Sequence, residues 1–201
     1  MMQDFALIGT DVGNPARQGS TKKYPDGYLV TAGGTDIWGT SDQFHFAYTT
    51  HTGDFDFTVR LESLSSADLY TKAGIMARET LDAGSPHIYH MVFPDNSARN
   101  KNNGGYELQF RVKPDGDSAA VYPSDYTSET PEFPVFFPET WIRLKRTGNN
   151  FEAFGRAGEE QWKLFASQHL ELNASLELGL AVTAHHPDET VLAFFKDLHM
   201  E

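Results

Sequence analysis

Eight side chains in this sequence could meet a polar ligand if the strands carrying them lay side by side: Trp38, His45, Lys72, Arg78, His90, Gln109, Arg111 and His185. Arginine offers a planar fork that matches a carboxylate or a sulfate. Glutamine and histidine offer directed donors and acceptors for hydroxyls. Tryptophan offers a flat apolar surface to the C–H face of a sugar. Successive side chains of a strand point to opposite faces, and alternation therefore sorts these residues. Within Thr71–Glu79, Lys72, Met76 and Arg78 share one face, and Ala73, Ile75 and Ala77 share the other. By the same rule Gln109 and Arg111 lie opposite Leu108 and Phe110, and His90 lies opposite Tyr89 and Met91. His45 lies opposite Phe44 and Phe46, and His185 with Thr183 lies opposite Val182 and Ala184. Gathered on one sheet face, these residues would concentrate cations in an acidic chain, and such a groove would suit an acidic or sulfated sugar. The alternative is a solvated outer face whose charges pair with nearby Asp and Glu at little energetic gain.

Other patterns are weaker. Asp36-Ile37-Trp38-Gly39 supports two readings. In one, Asp36 orients a basic groove residue and Trp38 walls the site. In the other, Asp36 bonds turn amides and Trp38 plugs the end of a sandwich, with Gly33-Gly34 and Gly39 permitting tight turns. His185-His186 is a poor metal pair, because neighbours on a strand point apart. Calcium is the only metal suggested, by the oxygen-rich Asp95-Asn96 and Asp115-Gly116-Asp117, which equally have the composition of ordinary turns. No other cofactor is implied. The absence of cysteine excludes disulfides, thiolate chemistry and iron–sulfur clusters.

The elements that must position these residues are strands. Period-two alternation runs through Asp54–Leu64 and Tyr106–Lys113. Further strands are expected at Gly27–Ala32, Gln43–Thr50, Thr71–Glu79, His87–Phe93, Thr140–Arg146, Phe151–Gly155, Trp162–Ser167, Leu176–Ala184 and Thr190–His199. Turn residues separate them, among them Asp26-Gly27, Asn103-Gly104-Gly105 and Pro187-Asp188. The clearest hairpin joins Arg143–Arg146 to Phe151–Phe154 across Gly148-Asn149-Asn150. Strands with one apolar face each imply two packed antiparallel sheets. Pro123–Pro138 and Asp95–Asn103 read as long polar loops, and nothing marks an internal boundary, so residues 1–201 are expected to form one domain. With 16 Lys and Arg against 28 Asp and Glu, the formal net charge is −12, which argues against nucleic acid and anionic membranes as partners. No run approaches the ~18 apolar residues of a membrane helix. Met1–Thr10 lacks the basic start and apolar core of a signal peptide, so a cytoplasmic location is expected unless the chain is the trimmed product of an exported precursor.

Particular segments also carry a resemblance. Tyr24–Tyr48 reads YPDGYLVTAGGTDIWGTSDQFHFAY, Tyr70–Leu81 reads YTKAGIMARETL, and Gly179–His185 reads GLAVTAH. With Ile8-Gly9 and Gln18-Gly19-Ser20 they resemble, in order along nearly the whole chain, a concanavalin A-like lectin/glucanase family. It is a bacterial family of unknown function related to the fungal regulation-of-enolase protein. The resemblance implies an all-β, two-sheet antiparallel jelly-roll sandwich with a concave sheet. In many relatives that sheet or its bordering loops binds glycans. The sequence departs from the family in its late hairpin, where Ala157-Gly158-Glu159-Glu160 precedes Trp162 in place of an Asp-Gly turn.

Three functions follow as expectations. The first is a non-catalytic module that binds a carbohydrate or another polar small ligand on the concave face. The second is a polysaccharide lyase or glycoside hydrolase using His90, His185, Glu79 and Lys72 as acid/base groups. The carboxylate run E-x-D-x-E that glycosidases of this fold carry is missing, as are the lyase patterns R-x-E-x-R and Q-x-H. Tyr70-Thr71-Lys72-Ala73-Gly74 bears only a faint likeness to the lyases' Tyr/Lys strand. The third, which the resemblance to the fungal protein implies, is a protein-interaction or regulatory domain acting on a metabolic enzyme, docking through Pro131–Pro138 with Phe133, Phe136 and Phe137.

Overall fold

The computed structural model describes residues 6–94, 105–125, 128 and 130–201. The Asp95–Asn103 loop, and with it Asp95-Asn96 as calcium ligands, lies outside the described residues.

Alternation turns into strands almost everywhere it occurs. In chain order these are β1 (Ile8–Val12), β2 (Ser20–Tyr24), β3 (Gly27–Ala32), β4 (Phe44–Thr52), β5 (Phe55–Leu64), β6 (Lys72–Arg78) and β7 (His87–Phe93). There follow β8 (Gly105–Arg111), β9 (Ser118–Val121), β10 (Thr140–Thr147), β11 (Asn150–Ala157), β12 (Lys163–His169), β13 (Ser175–Thr183) and β14 (Val191–Met200). They form two antiparallel seven-stranded sheets, ordered β1-β4-β13-β6-β7-β8-β9 and β12-β11-β10-β5-β14-β3-β2. The expected hairpin is present, with Arg143 opposite Phe154 and Arg146 opposite Phe151, and the left-handed Gly148 turns the chain.

Three strands were not expected from the sequence: β1, β2 and β9. Each lies at a sheet edge and none has a fully buried face. An edge strand buries little, so its sequence need not alternate.

The inner faces build the main core. Ala73, Ile75 and Ala77 of β6, Ile88 and Val92 of β7, and Leu180 and Val182 of β13 meet Phe57, Val59 and Leu61 of β5, Leu144 of β10 and Phe195 of β14. A second apolar cluster lies on the other side of the first sheet. There Phe44, Phe46, Met76, Tyr89, Met91 and Phe93 are covered by Ile37. Every residue of β6 and β7 is therefore buried. The cover is the segment 33–43, which crosses the outer face and is pinned by an isolated bridge between Asp36 and Gln43. Gly34, at φ 104, lets the backbone turn there, and an added Cβ would meet the Gln43 carbonyl oxygen at 2.1 Å.

Candidate functional site

The covering segment divides the outer face of the first sheet. Beneath it the face is buried. Beyond its edge a cleft of about 660 Å³ opens, lined by Asp36, Trp38, Tyr70, Lys72, Phe93, Glu107, Gln109, Tyr122 and His185 among others. Lys72 comes from β6, Phe93 from β7, and Glu107 and Gln109 from alternate positions of β8. Tyr70 precedes β6, Tyr122 follows β9, and His185 follows β13. Trp38 (37% exposed), Tyr70 (46%) and Tyr122 (55%) supply aromatic surface that solvent can reach.

Asp36 organises one wall. Its Oδ1 accepts hydrogen bonds from the Ile37 amide (2.7 Å) and from Lys72 Nζ, which also donates to the Ile37 carbonyl at 3.1 Å. Its Oδ2 lies 3.3 Å from His185 Nε2. Burial opposes the Asp36 charge, but His185 and Lys72 outweigh it and hold the carboxyl below its ordinary value. Asp36 in turn raises His185 above its ordinary value, against the opposing pull of burial. His185 Nδ1 lies 3.0 Å from Asp68 Oδ1, in ion-pair contact without the alignment of a hydrogen bond. The residue has left-handed backbone (φ 56), costly for a non-glycine side chain. Its ring lies 5.3 Å from that of Tyr70, and Lys72 Nζ lies 5.9 Å from the centre of the Trp38 ring.

Four of the eight sequence candidates meet in this cleft: Trp38, Lys72, Gln109 and His185. Arg78 and Arg111 share the outer face, but both are fully buried. Arg111 grips Asp42 through two bonds of 2.8 and 2.7 Å and also donates to the carbonyls of Gly39, Ser85 and Gly116. Arg78 reaches the same carboxylate at 3.3 Å and donates to the Thr80 carbonyl at 2.7 Å. These arginines join loops to one another and expose no fork to a ligand, which corrects the expectation of a basic groove for an acidic sugar.

His45 and His90 lie on the wrong face for the cleft. His45 shares the side of Ala47, held by Asp11 Oδ1 at 2.7 Å and Thr21 Oγ1 at 2.9 Å. His90 sits between the sheets, its Nδ1 3.1 Å from the Glu107 carbonyl and its Nε2 3.0 Å from the Phe154 carbonyl of the opposite sheet. Alternation correctly opposed both residues to their neighbours. Their neighbours, however, face the second apolar cluster, so here the larger apolar side chains mark the outer face. Glu79 is also remote from the cleft chemistry: its Oε1 accepts the Asn173 amide at 2.8 Å.

Tyr70, Glu107 and Tyr122 were missing from the candidates. Glu107 shares the parity of Gln109 and Arg111, and that signal was available. Tyr122 follows an edge strand that the sequence does not announce. Asp115, of the second calcium candidate, has left-handed backbone, and its amide donates to the Gly84 carbonyl at 2.9 Å. Among the described residues no group of three or more His, Asp or Glu is arranged to hold a metal ion.

No family model matches the chain, and no curated protein matches it. Solved structures do. A functionally unknown protein from Saccharomyces cerevisiae superposes with a TM-score of 0.68 at 16% identity, over 96% of this chain and 95% of that one. The carbohydrate-binding module CBM66 from Bacillus subtilis gives 0.57 at 14% identity, over 97% and 96%. An alginate lyase from Klebsiella pneumoniae gives 0.51 at 12% identity, over 100% and 83%. Likeness at these identities speaks to fold alone. The chain is an all-β, two-sheet antiparallel jelly-roll sandwich of the concanavalin A-like kind.

Proposed function

We propose that this protein is a non-catalytic carbohydrate-binding module whose ligand lies in the cleft on the outer face of the first sheet. The composition of that cleft carries the reading. Trp38, Tyr70 and Tyr122 surround a floor that includes Lys72, Glu107 and Gln109. A sugar ring has apolar C–H faces and a polar rim, and aromatic walls with a few fixed polar groups match both. The structural likeness to CBM66 supports this reading.

The enzymatic alternative keeps two of its four acid/base candidates in the cleft, Lys72 and His185. Both are engaged by carboxylates, Lys72 by Asp36 and His185 by Asp36 and Asp68, which favours a positioning role over proton transfer. The protein-docking alternative loses its basis at two of three positions, because Phe133 and Phe137 pack on the main core while Phe136 is 43% exposed. A single exposed apolar side chain is ordinary. The narrower kinship with the enolase-regulator-related family rests on the quoted segments, of which Tyr24–Tyr48 and Tyr70–Leu81 are the longest. Their residues pair with one another in space, Asp36 with Lys72 and Asp42 with Arg78.

The test is a glycan array with and without calcium, followed by calorimetry on each hit. A reproducible hit is expected, weakened by about tenfold or more in Trp38→Ala and Tyr122→Ala variants that melt like the parent. A blank array, or affinity untouched in both variants, overturns the assignment of the cleft. Product release from a polysaccharide panel overturns its non-catalytic part.

A further inference from the structure

We propose that Arg156, clamped between Trp141 and Trp162 on the outer face of the second sheet, binds a single carboxylate on an otherwise neutral ligand. This face belongs to the sheet opposite the cleft, and the site does not rest on the glycan reading.

The strands place the trio. Trp141 and Arg143 of β10 alternate with the buried Ile142 and Leu144, and Phe154 and Arg156 of β11 alternate with the buried Ala153, Gly155 and Ala157. Trp141 stands opposite Arg156 in register, and Trp162 arrives just before β12. The Arg156 guanidinium carbon lies 4.4 Å from the centre of the Trp141 ring and 4.7 Å from that of Trp162, and the two rings stand at 87° to each other. Indole faces attract a guanidinium and fix its plane.

What this guanidinium lacks is an acceptor. Among the described residues every other arginine donates a hydrogen bond from its guanidinium: Arg17, Arg60, Arg78, Arg111, Arg143 and Arg146. Arg156 donates none; its Nε is buried without a partner, whereas both Nη atoms stay open to solvent. Acids are not scarce in a chain with 28 Asp and Glu against 16 Lys and Arg. Glu132 and Glu160 border the same small hollow, yet neither is within ion-pair distance of Arg156, and Glu160 faces Lys163 at 3.5 Å.

The neighbouring arginine shows what such a group takes. The Arg143 guanidinium carbon lies 4.7 Å from the centre of the Phe154 ring and 5.8 Å from that of Trp162. Arg143 grips the Asp56 carboxylate through Nε at 2.7 Å and Nη2 at 2.5 Å. Arg156 repeats the aromatic support without the carboxylate, and its two open Nη atoms match the two oxygens of one carboxylate. Arg60 and Lys196 on this face are already paired, Arg60 with Glu62 and Asp197, Lys196 with Asp26 and Glu62. The site therefore suits one carboxylate better than a polyanion.

The experiment follows the indole N–H signals of the isotope-labelled intact chain by NMR, assigned with single Trp→Phe variants. Trp38, in the cleft, is the internal control. Methyl glucuronide, methyl glucoside, benzoate and inorganic phosphate are each titrated to ~50 mM near neutral pH at constant ionic strength. Methyl glucuronide is expected to move Trp141 and Trp162 saturably, with a Kd of roughly 1–10 mM, and methyl glucoside to leave them still. A response to the glucuronide alone assigns the carboxylate to a sugar, to benzoate alone to an apolar acid, and to both to the carboxylate itself; each supports the site. Arg156→Gln should abolish the response in a protein that melts like the parent. Arg156→Lys keeps the charge, loses the planar pair of donors and should weaken binding about fivefold or more. Phosphate that binds as tightly as the better carboxylate overturns the carboxylate assignment. Stationary Trp141 and Trp162 signals with both carboxylates, movement confined to Trp38, or a response that persists in Arg156→Gln overturns the site and leaves the reading of the cleft untouched.

Discussion

Asp42 is the residue on which the face beside the cleft depends, and its replacement is the sharpest stability test. Its carboxylate has no solvent exposure, nor do the guanidinium groups of Arg78 and Arg111 that converge on it. Asp42→Asn keeps the shape and removes the only carboxylate within ion-pair distance of both arginines among the described residues. Burial already lowers Arg78 to about 10 despite Asp42. Removing one partner of a buried ion pair costs about 3–5 kcal/mol, because the remaining charge stays desolvated. With an unfolding entropy of about 2.1 cal/mol/K per residue, a chain of 201 residues loses about 7–12 °C in Tm. Urea unfolding and calorimetry should agree on that loss. The exposed pair Lys163–Glu160, at 3.5 Å, is the control, and Lys163→Ala should cost under ~1 kcal/mol. A loss under ~1 kcal/mol for Asp42→Asn would refute the clamp. The same geometry assigns Arg78→Ala and Arg111→Ala to stability. Arg111 bonds the Gly39, Ser85 and Gly116 carbonyls at once, so its truncation loosens several loops together.

Two pH effects follow from the histidine rings, one part-buried and two fully buried. Asp36 raises His185 above its ordinary 6.5, so the contribution of this contact is complete below that value and fades as pH rises through the higher folded-state value. A histidine NMR titration should show a midpoint above 6.5 that falls in Asp36→Asn, and a wild-type midpoint at or below 6.5 would refute the contact. Burial has the opposite effect on His87 and His90, lowering them to about 3 and about 4. The unfolded chain therefore takes up these protons first as pH falls below 6.5, and stability is lost from there toward the folded-state values. His90 alone should contribute ~3 kcal/mol of that loss by pH ~4. Denaturant melts across this range should show a shallower slope in His90→Gln, and an identical slope would refute the assignment.

Much of the architecture was legible because alternation is a local property. Asp54–Leu64 carries its apolar residues at every second position, and in β5 those positions, from Phe55 to Leu61, are buried. Three of the four edge strands were not legible, because β1, β2 and β9 bury no complete face. The site was legible in part. Lys72 and Gln109 fell on the cleft face by parity, and one reading of Asp36-Ile37-Trp38-Gly39, an acid orienting a basic residue beside a tryptophan wall, matches the Asp36–Lys72 contact.

What the sequence determined by itself was therefore the strand class, the two-sheet packing and the parity of side chains within each strand. Only the tertiary structure decided which parity faces solvent. Alternation gives relative directions along one strand, and the absolute face depends on what covers the sheet. Here both faces of the first sheet are apolar at the centre, since the segment 33–43 lies across the outer one. That placed His90 between the sheets and put Arg78 and Arg111 beneath loops. The ion pairs that hold the cover join residues far apart along the chain, Asp36 to Lys72 across 36 positions and Asp42 to Arg111 across 69. Charge pairing over such distances leaves no periodic trace in a sequence, because folding alone brings the partners together.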